Sequence, residues 1–328
     1  MRTFLLIAAD QEVRGAAPSS HTLTNAGVAR LREALGSEAE LVVATPEEAP
    51  AHYGEAEMVA SFPARMPPIE QLPKTKWLHS FSAGVDRILT PEVAASPVLL
   101  SNSRGVHAIP IAEHIIGFML LFSRGFYDTF RNQEKHVWQK ASELAELYDS
   151  TVLIVGLGEI GSRAAELAYA LGARVSAVVR SKRETPVYVE RLGTSEDLDL
   201  MLPEADYVVI TLPHTRETHH LFDAKRLALM KKSAVVINIG RGGLIDEAAL
   251  VAALREGRIK GAGLDVTETE PLPPESPLWD LPNVAITPHH SGLSPRYMER
   301  AIELLAKNLE AYLAGSPLPT RVNKQLGY

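Results

Sequence analysis

The stretch Thr151-Val-Leu-Ile-Val-Gly156-Leu-Gly158-Glu-Ile-Gly161-Ser162 decides the fold of this chain. Its uninterrupted β-branched and aliphatic run predicts a buried strand, and glycines with the spacing G-x-G-x-x-G follow at once. Residues 163–171 come next, are rich in Ala, Leu and Glu, and predict a helix. A strand, a glycine turn and a helix in this order suit the pyrophosphate of a dinucleotide, because the start of a helix presents free N–H groups to an anion.

Each glycine of this turn has a separate physical task in such a site. Gly156 permits the tight turn, Gly158 lets the backbone approach a phosphate, and Gly161 lets the helix pack closely on the strand. The alternative is a turn of purely structural role, since similar turns occur in many α/β proteins that bind nothing. The flanking strand and helix favour dinucleotide binding.

The composition is that of a globular protein. The chain has 328 residues, which suggests two domains, and 46% of them are hydrophobic and 22% charged. Its formal net charge of −7 offers no basic field to nucleic acid. Cysteine is absent, which excludes disulfides, thiolate catalysis and zinc–thiolate sites and agrees with a reducing compartment.

No segment is predicted to direct the chain to a membrane. The apolar run at the N-terminus is short and meets Asp10, so it predicts a buried first strand rather than a signal peptide. No apolar stretch approaches the roughly 20 residues that span a bilayer. We therefore expect a cytoplasmic protein.

Short apolar runs recur along the chain and predict two parallel sheets. In the first hundred residues they indicate a small α/β unit. From Thr151 onward they alternate with helical segments, which indicates a doubly wound Rossmann sheet of six strands. The first set is Phe4–Ala9, Leu41–Ala44, Met58–Ser61, Trp77–Ser80 and Val98–Ser101, and the second is Thr151–Val155, Arg174–Val179, Tyr207–Thr211, Ala234–Ile239, Gly261–Val266 and Val284–Thr287.

The two ends of the chain are predicted to fold together into a discontinuous domain. We expect a substrate domain of residues 1–102 and 290–328 and a dinucleotide-binding domain of residues 103–289. Residues 106–122 predict a helix with Pro110 in its first turn, buried on more than one side because it is apolar nearly all round. The polar residues 124–148 predict an arm outside the core.

Three polar residues follow predicted strands, where open α/β sheets bind their ligands. Arg241 lies in Gly240-Arg-Gly-Gly243, and a cation at such an exit can hold a carboxylate with a bidentate fork. Glu270 and His289 follow the next two strands, and a histidine paired with a carboxylate suits protonation of a carbonyl oxygen. Considered one at a time, each of the three residues could instead be a surface or structural residue without a catalytic role.

No metal site is predicted. The pairs His219-His220 and His289-His290 are the candidates that the sequence offers. Both are weak, because adjacent histidines point apart on a strand and helical ligand pairs are usually spaced i, i+4.

Several segments together resemble the D-isomer-specific 2-hydroxyacid dehydrogenase family. The resemblance covers nearly the whole chain in the family's order, and several matching motifs are far more specific than any one of them. The segments are Gly156-x-Gly158-x-x-Gly161, Asn238-Ile-Gly240-Arg241-Gly242, Leu264-Asp265-Val266 followed by Glu270-Pro271-Leu272, Thr287-Pro288-His289, Ser82-Ala83-Gly84-Val85-Asp86 and Arg104–His114.

The resemblance implies an NAD(P)-dependent oxidoreductase that reduces a 2-oxo acid to a D-2-hydroxy acid. Arg241 would grip the carboxylate and carbonyl oxygens, and His289 would protonate the carbonyl oxygen as hydride arrives from the nicotinamide. Glu270 would hold the other imidazole nitrogen and fix its tautomer. The substrate-binding residues would be the backbone of Ala83, Gly84 and Val85, together with Arg241 and His289.

The resemblance also implies the architecture around the site. A Rossmann cofactor domain and a smaller, flavodoxin-like substrate domain would close over the ligands, and a homodimer would form through the helix near residues 107–122 and the arm after it. Asp265 would hold the nicotinamide carboxamide. The expected cofactor-binding residues are Gly156, Gly158, Glu159, Ile160, Gly161, Arg180, Ser181, Arg183, Leu212, Pro213, Thr218, Ile239, Gly240, Asp265 and Gly292.

The second strand of the dinucleotide domain departs from the NAD-preferring pattern. Such members end this strand with an acid that binds the ribose hydroxyls, whereas here Val179 takes its place. Arg180, Ser181 and Arg183 follow and could bind a 2′-phosphate. The alternative is a solvated basic loop. We predict that NADP(H) is preferred, with NAD(H) possible.

Two other functions remain open on the sequence alone. The first is a nucleotide-sensing binding protein like the family's corepressor relatives, and the second is a formate- or phosphite-type dehydrogenase. The sequence leaves the substrate side chain undetermined, with glyoxylate, hydroxypyruvate and larger 2-oxo acids all plausible. Candidate residues for shaping its pocket are Phe81, Ser82, Val106, Arg296 and Tyr297.

Overall fold

The computed structural model describes residues 2–8, 22–141, 143–325 and 327. The chain divides into two compact units, one of Met1–His107 with Leu293–Tyr328 and one of Ala108–Gly292. Ala9, the predicted end of the first strand, lies outside the described residues.

Strands and helices alternate through most of the described chain. The strands are β1 (Arg2–Ile7), β2 (Ala39–Ala44), β3 (Met58–Ser61), β4 (Trp77–Ser80), β5 (Leu99–Asn102), β6 (Thr151–Val155), β7 (Arg174–Val179), β8 (Arg191–Thr194), β9 (Tyr207–Ile210), β10 (Val235–Asn238), β11 (Gly261–Leu264) and β12 (Val284–Ile286). The α-helices are α1 (Asn25–Leu35), α2 (Pro91–Ala95), α3 (Ala108–Ser123), α4 (Phe126–Glu134), α5 (Glu159–Ala170), α6 (Leu198–Met201), α7 (Ala224–Leu229), α8 (Glu247–Arg255) and α9 (Tyr297–Leu313).

The first unit is built on a parallel sheet with the strand order β2-β1-β3-β4-β5 in its described part. The C-terminal helix α9 returns to this unit and packs on α1, so the unit is discontinuous. Its buried side, which includes Leu305 and Leu309, joins the core formed by Phe4 and Leu6 of β1. Burial on both faces explains why these strands read as apolar runs.

The second unit contains a longer parallel sheet with the order β12-β11-β10-β9-β6-β7-β8 in the described residues. The chain moves outward from β6 through β7 and β8, and then continues on the other side through β9. The strand order therefore reverses between β6 and β9, the point at which open α/β sheets bind ligands. This arrangement confirms the doubly wound class that the sequence predicts.

The prediction of six strands for this sheet was wrong, because it missed β8. The segment Arg191-Leu-Gly-Thr194 has one large apolar residue and pairs along one side with β7. A short strand at a sheet edge buries little, so it leaves no apolar run for sequence reasoning to detect.

Helix α3 lies against the second sheet and is buried along most of its length, as its apolar composition predicts. Two glycines of β11 make room for it, because a Cβ at Gly261 or Gly263 would come within 2.8 Å of the ring of Phe122 or Phe118. Within the described residues, no single helix is long and apolar enough to cross a membrane. The pair α3 and α4, bent by 72°, meets that test on length and composition alone.

Candidate active site

The glycine turn after β6 has the close geometry that its spacing predicts. Gly156 has a φ of 106°, and α5 begins directly after Gly158. A Cβ at Gly161 would collide with the carbonyl oxygen of Gly156 and with Oγ1 of Thr211. The helix start, which includes Glu159 and Ile160, therefore lies against the turn, and Gly158 provides no side-chain cap for its first N–H groups, which an anion could bind.

Basic residues follow the end of β7, beside this turn. The strand ends at Val179, and Arg180 and Ser181 come directly after it. Arg183 reaches back to the turn, where its Nη2 donates to the carbonyl oxygen of Leu157 at 2.6 Å. The guanidinium of Arg183 is thus held beside the glycine turn, and β7 ends at Val179 rather than at an acidic residue.

The exits of β9 and β10 hold the next predicted cofactor residues close together. Thr218 closes the loop after β9, because its Oγ1 donates to the carbonyl of Pro213 at 2.7 Å. A Cβ at Gly240 would come within 2.7 Å of the carbonyl oxygen of Leu212. Ile239 and Gly240 therefore lie directly beside the β9 exit. These residues fit a cofactor that runs along the carboxyl edge of the sheet.

The turn that carries Arg241 is fixed by a buried side chain. Asn238, at the end of β10, donates from Nδ2 to the carbonyl of Arg241 at 2.9 Å and accepts from the N–H of Gly240 at 3.0 Å. The side chain of Arg241 is exposed, and its Nη1 donates to the carbonyl of Gly240 at 2.7 Å. The guanidinium is therefore held near the strand exit while it remains accessible.

His289 and Glu270 form a hydrogen-bonded pair at the exits of β11 and β12. His289 Nδ1 lies 2.7 Å from Glu270 Oε2, and the other oxygen of Glu270 accepts from the N–H of Thr267 at 3.2 Å. The ring of His289 is half exposed, and its backbone has a φ of 51°, which is uncommon outside glycine. Since β10, β11 and β12 are neighbours, the three candidate residues leave consecutive strands at one edge.

Asp265 anchors the loop that carries His289. It is buried and accepts hydrogen bonds from the hydroxyls of Thr287 and Ser291 and from the N–H groups of His290 and Ser291. Burial alone would raise the pKa of Asp265, but these hydrogen bonds outweigh it and lower the pKa, so the group is a carboxylate. Its own carbonyl accepts from the N–H of His289 at 2.9 Å.

His114 on α3 extends this network. Its Nε2 lies 3.0 Å from Oγ1 of Thr287, and burial lowers the pKa of His114 below its ordinary value, so the ring is neutral. In the described part of the chain, ligand atoms of His114, Asp265 and His290 lie within 4.8 Å of one another. Both oxygens of Asp265 already accept protein donors, which leaves this group poorly suited to a metal.

The segment predicted to bind the substrate carboxylate follows β4 in the first unit. Asn102 donates from Nδ2 to the carbonyl of Ala83 at 2.6 Å, which orients the peptide that precedes Gly84. Val85 is buried. Beneath the segment, burial lowers the pKa of His79 to about 3, so this histidine is a neutral partner, 2.7 Å from the hydroxyl of Ser101. The binding role of the segment stays a prediction.

Three residues proposed to shape the substrate pocket are core residues instead. Phe81, Val106 and Tyr297 are buried in the apolar core of the first unit. The hydroxyl of Tyr297 donates to the carbonyl of Phe81. Sequence alone could not separate an aromatic residue that lines a pocket from one that fills a core.

Comparison with known proteins agrees with these motifs. The model of the D-isomer-specific 2-hydroxyacid dehydrogenase NAD-binding domain matches residues 116–291. Glyoxylate/hydroxypyruvate reductase B of Escherichia fergusonii is 35% identical over 263 residues, which are 79% of this chain and 81% of that protein. The chain belongs to the D-isomer-specific 2-hydroxyacid dehydrogenase family.

Solved structures of this family share the fold over the whole chain. A family protein from Aeromonas salmonicida superposes with a TM-score of 0.81 at 34% identity and covers 98% of this chain and 99% of its own. An NADPH-dependent glyoxylate/hydroxypyruvate reductase from Sinorhizobium meliloti, solved with NADP and sulfate, gives a TM-score of 0.75 at 28% identity and covers 100% of both chains.

Membership in the D-2-hydroxyacid dehydrogenase family fixes the class of reaction. The chain is an NAD(P)-dependent oxidoreductase that interconverts 2-oxo acids and 2-hydroxy acids. The two other functions left open by the sequence, nucleotide sensing and formate or phosphite oxidation, are not favoured by these relatives.

Proposed function

We propose that this chain uses NADPH to reduce glyoxylate to glycolate and hydroxypyruvate to the D-isomer of its 2-hydroxy acid. The observation that carries the proposal is the hydrogen-bonded pair of His289 and Glu270 at strand exits beside that of Arg241. The names of the relatives from E. fergusonii and S. meliloti support the substrates. When bound, the reduced nicotinamide supplies the hydride.

His289 is the proton donor in this proposal. Glu270 accepts from Nδ1, which fixes the tautomer and orients the ring, so Nε2 is the nitrogen that a substrate meets. A proton held there can pass to the carbonyl oxygen as negative charge develops on it. Asp265 keeps the loop in place through the backbone of His289.

Arg241 binds the substrate through its guanidinium. The planar fork can donate to a carboxylate and to the neighbouring carbonyl oxygen together, which both orients the acid and polarises the bond that is reduced. Asn238 and the glycines around Arg241 hold the turn. The backbone of Ala83, Gly84 and Val85 is a further proposed contact for the carboxylate. We also propose that Gly292 and Asp265 contact the cofactor.

The preference for NADPH is proposed from the β7 exit. Val179 stands where NAD-preferring members have an acid, so the end of β7 carries no negative charge. Arg180, Ser181 and Arg183 follow it and supply donors for a 2′-phosphate. Arg183 is already directed to the glycine turn by its bond to Leu157. The solved relative with NADP supports this choice.

Val179→Asp is expected to move the cofactor preference toward NADH. A carboxylate at the strand end repels the 2′-phosphate and accepts from ribose hydroxyls, so the ratio of kcat/KM for NADPH to that for NADH should fall by at least about tenfold. Steady-state kinetics with both cofactors measures the ratio. Val187→Asp is the control for added charge alone, since it makes the same substitution at an exposed residue whereas Val179 is buried. A wild-type enzyme that prefers NADH would refute the proposal.

We also propose a homodimer formed through α4 and the arm around it. This segment exposes large apolar side chains, including Phe126, Phe130, Trp138 and Tyr148. The rings of Phe126 and Phe130 stack with their centroids 6.0 Å apart, and exposed apolar patches of this kind mark association surfaces. The lack of cysteine supports a cytoplasmic location, with its reducing conditions, as part of the same proposal.

Trp138→Asp is expected to produce monomers at micromolar concentration. The indole of Trp138 is fully exposed in the single chain, so a partner can cover it. A carboxylate at this position would lose its hydration in an apolar dimer contact, which opposes association. Light scattering coupled to gel filtration gives the mass directly. The control is again Val187→Asp, which lies outside the arm. If the wild-type protein is a monomer, or the variant keeps the wild-type mass, the proposed contact is wrong.

A panel of 2-oxo acids tests the activity itself. Protein and NADPH are mixed with glyoxylate, hydroxypyruvate, pyruvate and longer 2-oxo acids while nicotinamide absorbance is followed. We expect the highest kcat/KM for glyoxylate or hydroxypyruvate, and a D-configured product from hydroxypyruvate, since the product of glyoxylate is achiral. Absence of turnover across the whole panel would overturn the proposed function.

A further inference from the structure

A second histidine–carboxylate pair lies beside the first. His220 Nε2 is 2.6 Å from Glu268 Oε1, and Glu268 stands two residues before Glu270. The side chains of His220 and Glu268 are 37% and 34% exposed, so the pair is partly shielded from solvent. The loop of residues 267–270 thus presents two carboxylates, each bound by a histidine from a different segment of the second unit.

The backbone of His220 binds the segment that carries Arg241. Its N–H donates to the carbonyl of Gly243 at 2.8 Å, and Phe222 continues the pairing by donating to Leu244 at 3.0 Å. In the opposite direction, the N–H of Asp246 donates to the carbonyl of Phe222 at 3.1 Å. Residues 220–222 therefore run alongside residues 243–246, directly after the turn of Arg241.

The two segments that His220 binds also contact each other. A Cβ at Gly242 would overlap the carbonyl of Thr267 and the N–H of Glu268, so the backbones are in direct contact there. Glu268 is tied to helix α8 as well, because its N–H donates to Glu247 Oε2 at 3.2 Å. Burial raises the pKa of Glu247, and the charge of Glu268 adds to this effect. Glu268 Oε1, which is bound by His220, also accepts from the N–H of Glu247 at 3.4 Å, so this carboxylate joins His220 to the start of α8.

The conformation of His220 shows that its position is held by these contacts. Its φ is 49°, in the left-handed region that residues other than glycine rarely adopt. Residues persist in such conformations when the surrounding structure determines them, and they cluster at functional sites. Here one residue is bound through both its backbone and its side chain.

We propose that His220 is a positioning residue that sets the Arg241 turn and the Glu270 loop in register with each other. Through Glu268 it restrains the loop that orients His289, and through Gly243 it restrains the turn that presents the guanidinium. The inference rests on the proposed roles of Arg241, Glu270 and His289. An exposed ion pair without such a role would contribute little to folding and nothing specific to turnover.

His220→Ala tests this role by separating turnover from cofactor binding. We expect kcat/KM for the best 2-oxo acid to fall about tenfold, because a small misplacement of reacting groups is costly. The dissociation constant of NADPH, measured by quenching of protein fluorescence, should stay within about twofold, because the glycine turn is untouched. A change confined to NADPH affinity, or a kcat/KM within twofold of wild type, would overturn the proposal.

Rescue and coupling distinguish positioning from a general loss of structure. His220→Gln keeps an N–H donor near the Nε2 position and should recover most of the activity. The losses in kcat/KM caused by His220→Ala and by Glu268→Ala should be non-additive in the double variant, since each substitution removes the same bond. Glu256→Ala is the matched control, because it removes the acid of an exposed 2.6 Å pair with Arg258. Additive losses, or failure of glutamine to rescue, would contradict the inference.

Two outcomes separate this inference from the proposed function. If wild-type protein reduces no 2-oxo acid of the panel, the proposed function fails. If wild-type protein is active and the His220 and Glu268 variants match it, only the positioning role fails. Should His220→Ala not fold, Glu268→Ala and His220→Gln carry the same test.

Discussion

His289→Ala is expected to lower kcat by about 10²–10⁴-fold, the range over which a positioned general acid accelerates a proton transfer. The ring is held by Glu270 at 2.7 Å, so its removal leaves the carbonyl oxygen without an aligned donor. The affinity for NADPH should change little, because the residues of the glycine turn are distant in sequence and keep their contacts. Single-turnover kinetics with saturating 2-oxo acid measures the chemical step.

His290→Ala is the matched control for that experiment. It removes the same side chain from the adjacent position of the same loop, and its backbone N–H can still donate to Asp265. We expect near wild-type turnover from it. Near-normal turnover by His289→Ala would show that the proton comes from another group.

Arg241→Ala is expected to lower kcat/KM by about 10²–10⁴-fold. A guanidinium that binds two substrate oxygens makes two charge-assisted bonds, each contributing about 1.5–3 kcal/mol. Asn238 holds the backbone of this turn, so alanine should remove the fork without moving the strand exit. Steady-state kinetics across the 2-oxo acid panel gives the loss.

Arg241→Lys refines the same test, since it keeps the charge and loses the planar fork. We expect a kcat/KM between those of wild type and Arg241→Ala. Arg258→Ala is the control, because it removes an exposed arginine from the same unit. Equal kcat/KM for Arg241→Ala and wild type would exclude Arg241 from substrate binding.

Many strands and helices of the second unit were predictable, because the sequence signals that define them come from neighbouring residues. The bounds of β6 and β7 agree with the prediction, since β6 is an aliphatic run that ends just before Gly156 and β7 is a mostly apolar segment that ends just before Arg180. Asp246 caps α8, with its side chain accepting from the N–H of Ala249. Strong local signals and burial on both faces point to the same structure at these positions.

Contacts between distant loops were not predictable. His220 was considered only as a weak metal ligand, and its partner Glu268 lies 48 residues away on another loop. Thr287 and Asn238 belong to motifs of the sequence, but no role was predicted for them. In the structure Thr287 donates to Asp265 and Asn238 donates to the carbonyl of Arg241, which fixes the loops after β12 and β10. A sequence reveals which strand ends carry polar groups, whereas the choice of partners depends on loop conformations that have no periodicity.

The most direct test of the central claim is a crystal structure of the protein with NADP and oxamate, an inert analogue of a 2-oxo acid. We predict oxamate oxygens at about 3 Å from the guanidinium of Arg241 and from Nε2 of His289, with Nδ1 of that histidine still bound by Glu270. Oxamate bound away from both side chains would contradict the account.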